Sequence, residues 1–429
     1  MNKILLKNIN AFRSEDQKLE NVDVFIEDDV IAAVESKLET DADDLRIIEA
    51  EGLTALPGLI DMHVHFREPG QEHKETIATG TKAAARGGFT AAAAMPNTDP
   101  VIDKKALVES VYERAENKAR THLYQVGAVT EESQGEELAE MGRMKEAGIV
   151  AVSDDGRPVM NSQVMRLAME YAQTFDLPVI SHAEDENLSA AGMVHEGYYS
   201  TLTGLKGIPG SAETIMVARD ICLAEQTGCP LHIAHVSTAD SVDLISRAKK
   251  RGVRVTCEAT PHHFTLDHSL LPSYNTDLKV NPPLRSKEDV EAIKQGLADG
   301  IIDVIATDHA PHAPEEKDVE FDYAPFGISG AETALGLVYT ELIDKRVIDR
   351  AEAVKCLSEK PAEILGVRKA EIKKGSPADL TLVAEDKSWQ VDPKNFRSKG
   401  RNTPFKGREL EGKPVLTLVE GEIVWEEEM

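Results

Sequence analysis

Four cysteines, Cys222, Cys229, Cys257 and Cys356, are few for 429 residues, and no pair has CxxC spacing. That leaves out a disulfide framework and a cysteine-built zinc or redox site, and fits reduced, buried thiols in a cytosolic protein. Positive charge is also scarce: 48 Lys and Arg against 75 Asp and Glu give a formal net charge of −27. Nucleic-acid backbones and anionic membranes both select a basic footprint, so neither is an expected partner. A small anionic substrate stays possible, because a few local cations or a metal outweigh a distant net charge. No apolar run nears the ~18 residues needed to span a bilayer. The opening MNKILLKNINAFRSED has too short an apolar stretch for a signal peptide and no small-residue cleavage site, so the expected location is the cytoplasm. A GxGxxG after an early strand, the mark of a dinucleotide-binding open sheet, is missing too.

What is there is a cycle that recurs from about residue 54. A helical pattern ends in Gly, a β-rich apolar run follows, and the run ends in chemically capable residues. The eight runs are TALPGLIDMHVHFR, GGFTAAAAMPN, LYQVGAVT, GIVAVSDDG, LPVISHAED, CPLHIAHVS, VRVTCEATPHH and DVIATDHAPH. SQGEELAEMGRMKEAG and SAETIMVARDICLAEQTG read as helices between them, each closing on a Gly suited to the left-handed C-terminal position. Near-continuous apolar strands alternating with helices imply a parallel sheet covered on both faces, and eight repeats imply a closed (β/α)8 barrel of the TIM type over 54–365. The ends differ. KILLKNINAF and VDVFIEDDVIAAV at the start, and ADLTLVAED and VLTLVEGEIVWEEE at the finish, read as strand, turn, strand. Neither end buries enough to stand alone, so residues 1–53 and 366–429 are expected to form one small composite β-sandwich.

Active sites of such barrels lie at the C-terminal ends of the strands. The first run ends in His63, Val64, His65, Phe66 and Arg67. Side chains alternate along a strand, so His63 and His65 share a face that Arg67 extends, and two such imidazoles can hold one metal. His182 ends the fifth run, His235 the sixth and Asp308 the eighth. Singly, each reads as a core histidine or a capping acid. Together, His and Asp at four strand mouths are how a hydrolytic zinc centre is built. His232 falls on the opposite face from His235 and reads as packing. His262 and His263 end the seventh run with no forced role, and His73, His122, His195 and His268 read as loop or helix-surface residues.

GLIDMHVHFREPG, MPNT, SDDG, SHAED, AHVST, NPPLR, ATDHAPH, GSPADL and NTPFKGREL, in that order, resemble the amidohydrolase superfamily and, within it, the bacterial class I dihydroorotases. The resemblance spans essentially the whole chain. It implies reversible cyclisation of N-carbamoyl-L-aspartate to L-dihydroorotate, a step of pyrimidine synthesis, on two zinc ions. Dihydropyrimidinases, allantoinases and animal-type relatives bridge their metals with a carboxylated lysine after strand four. Here that strand ends AVSDDG and the nearest lysine, Lys145, precedes it, so a carboxylate is the implied bridge. The resemblance puts it at Asp155; spacing alone leaves Asp154 open, because adjacent residues face opposite ways. His63, His65 and Asp308 are then implied for one zinc and His182 and His235 for the other, with Asp308 also moving the proton. His65, Arg67, Asn97, Asn281 and His312 are implied substrate contacts, His312 as a donor. Residues 312–327, HAPEEKDVEFDYAPFG, have no periodicity and are expected to form a lid, with Phe326 and Gly327 closing over the ring. A homodimer is expected, and association with an aspartate transcarbamoylase is open. An allantoinase or dihydropyrimidinase, or a metal-free scaffold on the same fold, are the competing readings.

Overall fold

The computed structural model describes residues 2–39 and 44–427. Eight strands form one sheet in chain order: Leu59–Val64, Phe89–Ala94, His122–Gly127, Ala151–Ser153, Val179–Ser181, Leu231–Ile233, Val255–Ala259 and Val304–Ile305. Each is parallel to the next. The first and last close on each other through a parallel bridge between Val64 and His309, and the His65 N–H donates to the His309 carbonyl at 2.8 Å. The result is the (β/α)8 barrel, and each of the eight runs supplies one of its strands.

The barrel interior is filled largely by small residues. Ala91, Ala93, Ala151, Ala234 and Ala306 meet Ile60, Met62, Val126 and Ile180 in one cluster, which only the lumen permits for residues from so many strands. Ala362 and Leu365 of the helix Lys360–Leu365 join that cluster and close one end. A separate, larger cluster lies between strands and helices, as in the helix Ser211–Thr227, which packs Met216, Val217, Ile221 and Ala224 inward. That helix ends at Gly228 with φ +72°, where a side chain would be strained.

The two ends of the chain join in a second sheet of eight strands, running from Glu422–Glu426 through Lys413–Val419, Leu380–Ala384, Thr54–Pro57, Lys3–Arg13 and Lys18–Glu27 to Val30–Glu35. The remaining strand, Leu45–Glu49, pairs with the first half of Lys3–Arg13, and Thr54–Pro57 pairs with its second half. The expected sandwich is thus one hydrogen-bonded sheet wrapped on its own core of Ile4, Leu6, Val24, Ile26, Leu380 and Leu416, among others.

Three boundaries differ from the sequence reading. Thr54–Pro57 belongs to the terminal sheet, between Lys3–Arg13 and Leu380–Ala384, so the barrel begins after Gly58 rather than at 54. The apolar run hides the change of sheet because both sheets bury it on both faces. Residues 393–405 pack on the barrel as well as on the terminal sheet: Ser398 Oγ donates to Glu75 at 2.5 Å and Asn402 Nδ2 to the Gly327 carbonyl at 3.0 Å, while the Arg397 guanidinium lies 5.1 Å from the Trp425 ring centre. The helix expected over 133–148 is confined to Met141–Glu146. Ahead of it, the Thr130 hydroxyl and Asp103 carboxylate take the N–H groups of Gly135 and Glu132, so local side-chain bonds displace the helix.

Candidate active site

His63 lies in the last turn of pleat of the first barrel strand, His65 just beyond it, and Asp155, His182, His235 and Asp308 within three residues of the ends of strands four, five, six and eight. The register of the first strand slips between Asp61 and Val64, so the two histidines reach the same site through an irregular pleat. Two groups form there, His63 with His65 and Asp155, and Asp155 with His182 and His235, and Asp155 is common to both. Its Oδ1 lies 3.3 Å from His63 Nε2 and 3.8 Å from both His182 Nδ1 and His235 Nε2, while Oδ2 lies 3.4 Å from His65 Nε2. Asp308 Oδ1 lies 2.9 Å from His65 Nε2 and 3.7 Å from His63 Nε2. His235 and Asp308 have φ of +32° and +47°, left-handed values that ordinary residues adopt at a cost and that cluster at functional sites.

A metal fits this set. His63 Nε2 and Asp155 Oδ1 are buried and face each other, yet neither has a hydrogen-bond partner. Buried polar atoms without partners are costly, and a cation bound by both supplies the missing interaction. Imidazole nitrogens with carboxylate oxygens are the donor set that zinc and similar divalent ions take. Burial alone would raise the Asp308 pKa, but the hydrogen bond from His65 and the nearby His63 outweigh it and bring it down to about 2.

The neighbouring carboxylates after strand four divide their work. Asp155 faces the histidines. Asp154 turns away and accepts from the N–H groups of Val129 and Thr130, at 2.7 and 3.1 Å, and from the Thr130 hydroxyl. The face alternation that left both open resolves to Asp155 beside the histidines. Lys145 sits on the helix Met141–Glu146, ahead of the strand.

Around the cluster stand the other residues named from sequence. Asn97 Oδ1 lies 2.9 Å from His65 Nδ1, and Asn97 Nδ2 donates to Asp155 Oδ2 at 3.4 Å, so it braces two members at once. Beside it a cavity of about 230 Å³ is lined by Gln71, Asn97, Glu132, Asp155 and Arg157. Arg67, at φ +60°, donates its Nε to the Pro311 carbonyl at 3.3 Å, leaving the rest of its fork unspent. Asn281 donates to Glu184 Oε2 at 2.6 Å, and the same oxygen lies 3.1 Å from His182 Nε2. His312 differs from expectation. Its Nε2–H is committed to the Phe326 carbonyl at 2.7 Å, and Nδ1 is buried without a partner. Burial, with Arg67 nearby, lowers its pKa to about 3, so the one N–H of the neutral ring is already spent on Phe326, while Nδ1 stands 3.5 Å from Glu316 Oε2.

The 312–327 segment is not structureless. It carries a helical turn, Pro314–Lys317, and is bolted to the loop after strand seven by two lysines. Lys317 Nζ donates to the carbonyls of Pro325 and Thr276 at 2.7 and 3.1 Å, and Lys279 Nζ to those of Phe321 and Asp322 at 2.8 and 3.0 Å. Lys279 also lies 5.1 Å from the Phe326 ring centre, and the Gly327 N–H donates to the Lys279 carbonyl. Burial takes the Lys317 amine down to about 7.

Sequence reasoning missed the supports. Glu258, within strand seven, places Oε1 2.5 Å from His63 Nδ1 and Oε2 3.2 Å from His232 Nε2. His232 is therefore part of the site's scaffold and more than packing. The signal was present: a lone carboxylate inside VTCEA, a strand buried on both sides, needs a partner. Glu184, two residues past His182, carried no such mark.

A barrel with a His and Asp cluster at its C-terminal mouth, joined to a sheet drawn from both termini, defines a metal-dependent cyclic amidohydrolase. The structure is similar to the L-hydantoinase (dihydropyrimidinase) of Arthrobacter aurescens, with a TM-score of 0.89 and 25% identity over 100% of this chain and 97% of the other. The dihydropyrimidinase of Brevibacillus agri shares the fold, with a TM-score of 0.86 at 24% identity over 99% of this chain and 95% of the other. Residues 52–241 match the dihydro-orotase-like family. The dihydroorotase of Pelotomaculum thermopropionicum is 56% identical over 99% of both chains, and that of Syntrophus aciditrophicus 51% identical over 99% of this chain and 100% of its own. The chain belongs to the dihydroorotase family.

Proposed function

We propose that this protein is the dihydroorotase of pyrimidine synthesis, interconverting N-carbamoyl-L-aspartate and L-dihydroorotate with two zinc ions. The observation that carries the reading is Asp155, a buried carboxylate shared by two histidine groups, with one oxygen and the facing His63 nitrogen both lacking partners. His63, His65 and Asp308 would hold one ion and His182 and His235 the other, with Asp155 between them. Bound there, zinc lowers the pKa of water towards neutrality and polarises an amide carbonyl. The chain's own residues do the rest. In ring opening Asp308 takes the proton of the attacking water and delivers it to the ring nitrogen that leaves. In ring closure it takes a proton from the ureido nitrogen as that nitrogen joins the side-chain carboxyl carbon, and passes it to the carboxyl oxygen that breaks away, which leaves as water after gaining a second proton from solvent. Arg67 meets the carboxylate that stays outside the ring, Asn281 meets the ring amides, and Phe326 and Gly327 cover the ring.

The likeness to hydantoinases keeps a neutral cyclic amide as the second reading, since the same cluster would open it. Two features favour dihydroorotate: Asp155 where a lysine would bridge, and Arg67, a cation that only a charged substrate requires. Arg67→Met is expected to lower kcat/KM for dihydroorotate about 10–100-fold, the range for a charge-assisted bond worth ~1.5–3 kcal/mol. Turnover of dihydrouracil, which has no carboxylate, is expected to be unchanged. Equal losses on both substrates, or wild-type preference for dihydrouracil, would overturn the assignment. A homodimer, contact with an aspartate transcarbamoylase and a cytoplasmic location belong to the same proposal. Light scattering of the pure protein, alone and with that enzyme, tests the first two. Among the described residues no helix is long and apolar enough to cross a membrane.

A further inference from the structure

Glu258 sits inside strand Val255–Ala259 and is fully buried. Three groups converge on its two oxygens. Oε1 lies 2.5 Å from His63 Nδ1 and accepts the His235 backbone N–H at 3.2 Å, while Oε2 lies 3.2 Å from His232 Nε2. Behind it, His232 Nδ1 meets the Thr256 hydroxyl at 2.8 Å. An ionised carboxylate can only accept, so the ring nitrogens facing it carry the protons. A neutral His63 protonated at Nδ1 keeps its lone pair on Nε2, the atom that faces Asp155. His232, donating from Nε2, likewise keeps Nδ1 as the acceptor for Thr256.

Resting on the metal-centre reading above, we infer that Glu258 is a positioning residue for both cation sites. One of its oxygens fixes the tautomer and ring direction of His63 and also holds the backbone of His235, whose φ of +32° needs such a restraint. A ligand of each site thereby hangs from a single carboxylate. The chain Thr256, His232, Glu258 keeps that carboxylate in place. Outer partners of this kind orient metal-ligating histidines and raise their basicity. Neither Glu258 nor His232 takes part in the proton transfer assigned to Asp308.

The test is Glu258→Gln, which keeps the shape but has one acceptor oxygen for the two imidazole donors. Zinc affinity is measured without substrate by competition with a chelator. The absorption spectrum of the cobalt-substituted protein is recorded, and kcat and KM are determined separately. The expected result is an affinity weaker by about 10–100-fold, a changed cobalt spectrum, and a fall in kcat with KM held within about twofold, because substrate contacts are untouched. Thr256→Val, two partners away, is expected to move affinity and spectrum in the same direction by a smaller factor. It also carries the test if the Gln variant does not fold. A folded Gln variant with wild-type affinity and spectrum overturns the inference, whatever its thermal stability, and so does an unaffected Val variant if only that one folds. Wild-type protein that takes up no zinc fails at the earlier step and removes the metal centre itself.

Discussion

Asp154 and Asp155 are adjacent and both buried, yet removing each should fail in a different way. Asp154→Ala leaves two buried backbone N–H groups, those of Val129 and Thr130, without their acceptor, and frees the Thr130 hydroxyl. Each orphaned buried donor costs ~1–3 kcal/mol, so the two amides together cost about 2–6 kcal/mol. Unfolding entropy of ~2.1 cal/mol/K per residue, taken over the roughly 310 residues of the barrel, gives ~0.65 kcal/mol/K. Tm should therefore fall by about 3–9 °C. Metal content should not change, because Asp154 faces away from the histidines. Asp155→Ala should do the reverse. It removes the one carboxylate common to both groups, so bound metal falls by at least half and turnover is lost. The metal-free protein loses no backbone partner, only the long 3.4 Å bond from Asn97, and should melt within ~1–2 °C of metal-free wild type. Melting is compared with chelator present, since bound metal adds its own stabilisation by mass action. Elemental analysis then gives stoichiometry. The reasoning is refuted if Asp154→Ala loses metal while Asp155→Ala keeps it, or if both variants lose stability alike.

Asp308→Asn is expected to lower kcat ~10²-fold or more in both directions, the range for a positioned acid or base; a variant that keeps its metal and turns over normally would leave Asp308 as a ligand only. His312, with its pKa lowered from 6.5 to about 3, is neutral in the fold but protonated in the unfolded chain between those values, so its contribution is lost as pH falls from 6.5 towards 3. His312→Gln should therefore show a shallower loss of urea midpoint on acidification, and parallel slopes would exclude that role. Lys317→Met removes two bonds that hold the 312–327 segment, so protease cleavage between 318 and 325 should quicken, and dihydroorotate should suppress it if the segment closes over substrate. Cleavage at wild-type rate, or indifference to saturating ligand, would count against the lid.

The histidine and aspartate cluster was legible because barrels bring strand ends to one place whatever the chain between them does. His63, His65, His182, His235 and Asp308 each end an apolar run, so topology alone gathers them. Asp155 was legible as one of a pair, and the choice needed the direction in which the chain leaves strand four. Glu258 and Glu184 were not read, because their roles come from meeting residues far along the chain or across a loop, as in the 195 positions separating Glu258 from His63. The barrel's start was misplaced for a similar reason. TALP and LIDMHV are equally apolar, and only the pairing of Thr54–Pro57 with Leu380–Ala384 shows that they serve different sheets. Gly58 marks the passage, since a Cβ there would stand 3.0 Å from that of Asp379 and 3.3 Å from that of Ala370. The expected helix at 133–148 failed because periodicity says nothing of hydroxyls and carboxylates that capture backbone N–H groups first.

Thr54–Pro57 also sets a timetable for synthesis. One neighbour, Lys3–Arg13, leaves the ribosome before it, but the other, Leu380–Ala384, emerges roughly 320 residues later, which at ~5–20 residues per second is about 15–65 s. For that interval one edge of the N-terminal strands has no partner, while the whole barrel is being made. An open edge of this kind is where strands of separate chains join. The nascent protein therefore carries an open edge along Thr54–Pro57 that outlasts even the closing of the barrel, and chaperone capture of stalled chains should extend to it.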